Sequence, residues 1–529
     1  MRDQVLIYDT TLRDGTQGEQ INFSAEEKLR IAQKLDELGI QYIEGGWPGS
    51  NPKDMRFFRM AKKIGFKTTH LTAFGSTRKP NIRPEKDPNL EALLQATTHT
   101  ITIVGKGWDL HVNEILGVSL EENLAMVFDS VAYLKSRGKA VIFDAEHFFD
   151  GYKANPEYSL RTIQAALSGG AEIIVLCDTN GGSMVGDIKG IVEIVTRSFP
   201  GVPLGIHAHN DCGLAVANSL AAVEAGATMV QGTINGYGER CGNADLTALI
   251  PNLQLKLGRK CLDDSKLRHL TEVSRYVSDI ANIPPLNERP FVGRSAFAHK
   301  GGMHVSAIAK KPPAYEHIEP GAVGNRRRVL VSDLSGKSNI EYKANEMGLT
   351  LGGNGYDSKK IVKEIKQMED QGYQFDAAEG SLELLIKKTT GQFIEPFSLH
   401  SLRVINEKNK DGQVTSQATI KISVGEEEEI TAAEGNGPVN AIDNALRKAL
   451  SKFYPRIKEM GLIDFKVRVL EGSAGTAAKV RVLIESRDGK DIWNTVGVSE
   501  NIIEASWQAL VDSIYFKLSK DQAEEARSN

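Results

Sequence analysis

Cysteine is scarce: four residues, Cys177, Cys212, Cys241 and Cys261, are scattered through 529 with no CxxC spacing among them. That excludes a disulfide scaffold, argues against a zinc–cysteine site, and predicts reduced thiols. Long apolar runs are missing too. None reaches the roughly 18 to 20 residues that a membrane-spanning helix requires. An excess of one charge is also lacking, since 64 basic and 68 acidic residues leave a formal net charge of -4. Such a balance gives no general electrostatic reason to bind nucleic acid or an anionic membrane. The opening Met-Arg-Asp-Gln passes within a few residues into VLIYDTT, without the small-residue cleavage site of a secretory signal. The expectation is a cytoplasmic chain with small-molecule partners.

What is present is length and rhythm. A chain of 529 residues is too long for one core, and a (β/α)8 barrel would use only about 250 of them. From Val5 to about Gly258, short β-branched or apolar runs alternate with amphipathic stretches. Strand candidates begin near Val5, Gln41, Lys67, His99, Lys139, Glu172, Leu204 and Thr228. A spacing of roughly 30 residues, repeated eight times, is the count that closes a barrel. Ser24 followed by Glu26 and Glu27 predicts a capping box, with Leu29, Ile31, Ala32, Leu35 and Leu38 as the buried face and Gly39 as the stop.

An open doubly wound sheet uses the same alternation. The polar segments favour the barrel, because LRDG, EGG, DAEH, DTNGG, HAHND and NGYGER all follow strand runs. Barrel enzymes keep their chemistry at those C-terminal strand ends. The expected fold class is therefore α/β: a (β/α)8 TIM barrel over 1–260, a helical accessory region over 261–395, and a C-terminal α+β duplication over 396–520. In the duplication, QATIKISV leads through GNGPVN into a helix and KVRVLIES leads through NTVGVS into another, which reads as two strand-strand-helix modules.

His207 and His209, at i and i+2 on the seventh strand run, leave the same side of it. Alone, an HxH pair is weak evidence, because histidines at strand ends are more often ordinary hydrogen-bonding residues. Barrel closure brings Asp14, at the end of the first strand, beside the seventh and eighth. Two imidazoles and a carboxylate leave coordination positions open and suit Mg, Mn, Co or Zn without choosing among them.

DTTLRDGTQ (9–17), GIHAHNDCGLAVANSLAAVEAGA (205–227) and GERCGNADL (238–246) resemble, in order and spacing, the signature segments of the DRE-TIM metallolyases. Within these the chain is similar to the 2-isopropylmalate, homocitrate and citramalate synthases. The resemblance implies a divalent metal held by Asp14, His207 and His209, with Asn243 as a further ligand or close neighbour. It implies Arg13 at the reacting centre, where a guanidinium stabilises charge developing on a carbonyl oxygen. Glu146 resembles the acidic residue near acetyl-CoA, and Asp144 shares its strand parity. Gln17, Glu44 and Thr179 resemble substrate-end positions. AFAHKGGMHVSAIAKKPPAYEHIEPGAVG (296–324) is similar to an accessory motif that delivers His304 as acid/base, with Tyr315 assisting, across a homodimer. Many relatives carry aspartate two residues after that histidine; here it is Ser306.

The implied activity is an acyltransferase that joins acetyl-CoA to a 2-oxo acid and hydrolyses the thioester. EGGWPGSNPKD, AFGSTRKPN, GKGWDLHV and EHFFDGYK are most similar to members accepting pyruvate, and Trp47, Phe74, Trp108 and Phe148 are compatible with a small methyl pocket or with ordinary core. The C-terminal module resembles an amino-acid-sensing dimer domain, implying isoleucine as effector. The rival readings are a metal-dependent lyase or aldolase on the same barrel, and an inactive amino-acid sensor.

Overall fold

In a computed structural model, which describes residues 4–352, 356–470, 475 and 477–528, the eight apolar runs become eight parallel strands. They are β1 (Leu6–Asp9), β2 (Tyr42–Gly46), β3 (His70–Ser76), β4 (Thr100–Lys106), β5 (Ala140–Glu146), β6 (Ile173–Asp178), β7 (Leu204–Ala208) and β8 (Met229–Gly232). They form a closed barrel in sequence order, sealed by pairing of β1 with β8 from Leu6↔Met229 to Asp9↔Gly232.

Local chemistry explains the boundaries. The Ser24 hydroxyl accepts from the Glu27 N–H at 3.2 Å while the Glu27 carboxylate accepts from the Ser24 N–H at 2.7 Å, so the predicted capping box starts the helix Ala25–Leu38. Gly39 ends it at φ +92°, a conformation that glycine adopts without steric cost. β3 starts at His70 rather than at Lys67, because the backbone N–H groups of Lys67, Thr68 and Thr69 donate to the Asp36 carboxylate, each at 2.9 Å, rather than to a neighbouring strand. Lys28, on the same helix, is buried against Asp54 and donates to the Gly45 carbonyl.

The barrel has two apolar layers with different partners. Ile7, Ile43, Ile101, Phe143, Ile206 and Val230 pack with the surrounding helices, whereas Tyr8, Ile142, Val175, Cys177 and Met229 form a small separate cluster. Residues two apart on a strand share a face. The face carrying Tyr8 and Ile142 therefore also carries Glu44, Thr72, Thr102, Asp144, His207 and Gln231, which hydrogen bonds link into polar chains.

The chain divides into two compact units, Met1–Phe297 with Ile318–Arg326, and Ala298–His317 with Arg327–Asn529. The second unit contains a two-residue parallel pair, β9 (Ala298–His299) and β10 (Arg328–Val329), and the helices Gly302–Lys310, Lys337–Glu346, Tyr356–Asp370 and Glu379–Thr389. After these come two antiparallel sheets of three strands each. One is β11 (Ser398–Lys408), β12 (Val414–Val424) and β13 (Glu427–Gly435), packed on the helix Pro438–Leu450; the other is β14 (Gly461–Val469), β15 (Val480–Arg487) and β16 (Ile492–Ser499), packed on the helix Ile502–Ser528.

The duplication is thus strand-strand-strand-helix, one strand richer per copy than the sequence pattern suggests. β11 and β14 are edge strands with no fully buried residue, so they lack the clean alternation that marks a half-buried strand. NTVGVS, read as a connection, lies within β16. Among the described residues, no helix is long and apolar enough to cross a membrane, and all four cysteines are free.

Candidate metal centre

After β1 the chain makes a tight turn in which Gly15 N–H donates to the Thr10 carbonyl at 3.0 Å and Asp14 N–H to the Thr10 hydroxyl at 3.3 Å. That turn brings Asp14 beside the two histidines. Asp14 Oδ2 lies 3.4 Å from His207 Nε2 and 4.0 Å from His209 Nε2, and all three side chains are buried. Asn243 joins them through a backbone bridge to His209. Its Nδ2 donates to the Tyr237 carbonyl at 3.0 Å, which leaves the Asn243 Oδ1 oxygen without a partner. Asp14 Oδ1 and His209 Nδ1 are likewise buried and unpaired. Gly238 makes this packing possible: at φ +154°, a Cβ there would stand 2.2 Å from Asn243 Nδ2.

Buried unpaired acceptors are costly unless something satisfies them. A carboxylate and two imidazoles that converge, with a buried unpaired amide oxygen on the segment bridged to His209, form a donor set that fits a divalent cation. The protonation states agree. Burial pushes His209 down to about 4, with His207 adding to the shift, and burial also lowers His207 despite the pull of Asp14. Burial opposes ionisation of Asp14, but Arg13, His207 and His209 outweigh it and hold the carboxyl below its usual range.

Arg13 is clamped from two sides. Its Nε donates to Glu44 Oε1 at 2.5 Å, and its guanidinium carbon sits 3.7 Å from the centre of the Phe74 ring. The guanidinium also reaches Asp14 Oδ2 at 3.3 Å. Glu44 is fully buried, and its oxygens accept from Tyr8 and Thr10 as well, both at 2.6 Å. Trp47 packs edge-on against Phe74. Phe148, by contrast, is core, packed with Phe149 and Tyr152.

The remaining expected residues lie at the same strand ends or just beyond. Gln17 is exposed at the close of the turn Gly15–Gln17. Glu146 ends β5, half-buried, ion-paired to Lys106 at the matching register of β4. Asp144 is buried and accepts from Gln231 Nε2 at 3.1 Å; burial, reinforced by Glu44, pushes its carboxyl well above the usual range. The Thr179 hydroxyl accepts from the His147 N–H at 2.9 Å, so it fixes the β5 end rather than capping the helix Val185–Ser198.

His304 and Tyr315 belong to the second unit, where their rings stack with centroids 4.2 Å apart. Both are exposed, and among the described residues no carboxylate pairs with His304. Of that segment's two carboxylates, Glu316 is occupied by Arg327 at 2.5 and 2.6 Å and by His299 at 3.3 Å. Sequence reading missed Tyr8, Lys106 and Gln231. The signal for Gln231 was available, as an amide in the otherwise apolar strand MVQG.

Comparison with known proteins gives the family. The HMGL-like family model covers residues 4–277, the homocitrate synthase post-HMGL domain-like model 291–373, and the LeuA allosteric (dimerisation) domain model 376–518. An (R)-citramalate synthase from Aquifex aeolicus is 56% identical over 99% of this chain and 99% of its own length; one from Geobacter sulfurreducens is 56% identical over 98% of each. The chain belongs to the citramalate synthase family. A 2-isopropylmalate synthase from Pseudoalteromonas atlantica stands further off, at 31% identity over 97% of this chain and 95% of its own. The solved hydroxymethylglutaryl-CoA lyase from Pseudomonas aeruginosa is 18% identical with a TM-score of 0.46, covering 59% of this chain and 100% of that one. Within the citramalate synthase family framework, Arg13, Asp14, Glu146, His207, His209 and Asn243 all fall in the HMGL-like segment, His304 and Tyr315 in the post-HMGL segment, and both three-stranded sheets in the dimerisation segment.

Proposed function

We propose that this chain is a metal-dependent acyltransferase that condenses acetyl-CoA with pyruvate and releases CoA and citramalate. The carrying observation is the buried convergence of Asp14, His207 and His209, with the unpaired oxygen of Asn243 beside them and Arg13 at its edge. The chemistry that Mg, Mn, Co or Zn supplies when bound by those four residues is polarisation of a 2-oxo acid's ketone.

The chain's own groups do the rest. A base takes a methyl proton from acetyl-CoA, and the resulting carbon nucleophile bonds to the keto carbon. Negative charge then gathers on the former keto oxygen, where Arg13, held by Glu44 and Phe74, stabilises it. Water then cleaves the thioester and releases CoA. We assign the acid/base role to His304 with Tyr315, delivered across a homodimer, and acetyl-CoA positioning to Glu146. Gln17, Asp144 and Thr179 shape the oxo-acid end, with Glu44 behind Arg13. The division into a barrel (1–260), an accessory region (261–395) and a regulatory dimerisation module (396–520), with isoleucine as effector, belongs to the same proposal.

The test is thiol release from acetyl-CoA with each 2-oxo acid, before and after removal of metal. The expected result is the highest kcat/KM with pyruvate and loss of turnover on demetallation, restored by a divalent cation. A preference for 2-oxoisovalerate would move the assignment to 2-isopropylmalate formation, and full turnover by metal-free protein would overturn it. Truncation after Thr390 should abolish isoleucine inhibition; undiminished inhibition would sink the regulatory assignment.

A further inference from the structure

His207 and His209 face the same carboxylate, yet their outer nitrogens are treated differently. His209 Nδ1 is buried and has no partner, whereas His207 Nδ1 lies 2.9 Å from Gln231 Oε1. Gln231 is fully buried on β8, its backbone in register with Tyr8 on one side and His207 on the other. The far end of its amide is held too: Nε2 donates to Asp144 Oδ1 at 3.1 Å.

An amide has one accepting end and one donating end, so fixing one fixes the other. The bond from Nε2 to Asp144 Oδ1 turns the Gln231 NH2 toward β5 and leaves Oε1 facing His207. An oxygen there can only accept, so His207 must carry its proton on Nδ1. The Nε2 lone pair is then aimed at Asp14 Oδ2, 3.4 Å away. Two acceptors that close repel each other unless a cation or a proton lies between them.

We infer that Gln231, anchored by Asp144, is a positioning residue that sets the tautomer and ring orientation of His207, so that one imidazole of the centre is preset for a cation while His209 is not. This rests on reading the Asp14–His207–His209 cluster as a cation site. Partners that orient a ligating histidine from behind typically contribute about 10- to 100-fold in metal affinity. Asp144 accordingly acts on the centre through Gln231, besides any contact with substrate.

Two measurements on the full chain test this. In metal-free protein labelled with 15N-histidine, the His207 signals, assigned by their loss in His207→Asn, should report the Nδ1–H tautomer; an Nε2–H tautomer would overturn the inference. In Mn2+ titration, Gln231→Met should bind about 10- to 100-fold more weakly than the native chain. Gln231→Glu, which keeps an acceptor oxygen, should lose much less. Thermal unfolding of the metal-free variants separates this from misfolding: a folded Gln231→Met that binds Mn2+ within twofold of the native chain would refute the positioning role. If that variant fails to fold, the native tautomer and Gln231→Glu decide. Should the native chain itself not bind Mn2+, the cation reading fails, while the tautomer measurement still decides what Gln231 does.

Discussion

The barrel mouth and the accessory segment around His304 are built on opposite plans. At the mouth, Asp14, His207, His209, Glu44, Asp144 and Gln231 are all buried, and Arg13 is clamped by Glu44 and Phe74. In the accessory segment His304 and Tyr315 are exposed and stack on each other, and the Glu316 carboxylate next to Tyr315 is spent on Arg327 and His299. A closed ring of strands can hold many polar groups at fixed separations, because each is anchored on rigid backbone. A short helix after a glycine pair holds one ring loosely. On the roles proposed above, the groups assigned to the electrophile are held rigidly, whereas the ring assigned to proton transfer is not.

Removing the most rigid part should cost most. Replacing His207 and His209 together by alanine should abolish cation binding and lower kcat/KM by at least about 10³-fold, because Lewis-acid and oxyanion stabilisation are lost together. Thiol release and Mn2+ titration measure both, and near-native turnover would break the contrast. Replacing His304 by alanine should cost about 10²- to 10⁴-fold in kcat, the usual worth of a positioned acid or base, with cation affinity unchanged. Native kcat in that variant would remove His304 from the chemistry.

Arg13→Lys should lower kcat by about 10²- to 10³-fold with a smaller change in KM, since an ammonium cannot reproduce a planar group held by both Glu44 and Phe74. An equal rise in KM with kcat intact would mean that Arg13 only binds substrate. The smallest effect concerns stability. Burial raises Asp9 from 3.8 to about 7, against the lowering effect of its bonds with Thr11. Its folded pKa exceeds its unfolded one, so its contribution to stability is complete below pH 3.8 and is lost as the pH rises through about 7. Asp9→Asn should flatten the fall in unfolding free energy across that window in denaturant titrations, and an unchanged slope would place the sensitivity elsewhere.

Much of this was legible before any coordinates. Eight apolar runs, the Ser24–Glu27 box and Gly39 are local signals, and local hydrogen bonding and side-chain periodicity write them directly into sequence. The HxH spacing likewise puts two imidazoles on one side of β7 by strand geometry alone. Less visible were the edge strands β11 and β14, whose exposed faces erase the pattern, and Lys28, a charged residue that is buried because Asp54 meets it.

By itself, then, the sequence determined the repeat, the layers, and which residue types stand at the strand ends, since each depends on neighbours a few positions away. The meeting of Asp14 with His207 and His209 was already implied by eight strands closing, but only the tertiary structure decided that Glu44 and Phe74 grip Arg13 and that Gln231 stands between Asp144 and His207. Asp14 reaches the two histidines because pairing β1 with β8 closes the sheet into a ring, and Gln231 reaches Asp144 from β8 to β5 of that ring.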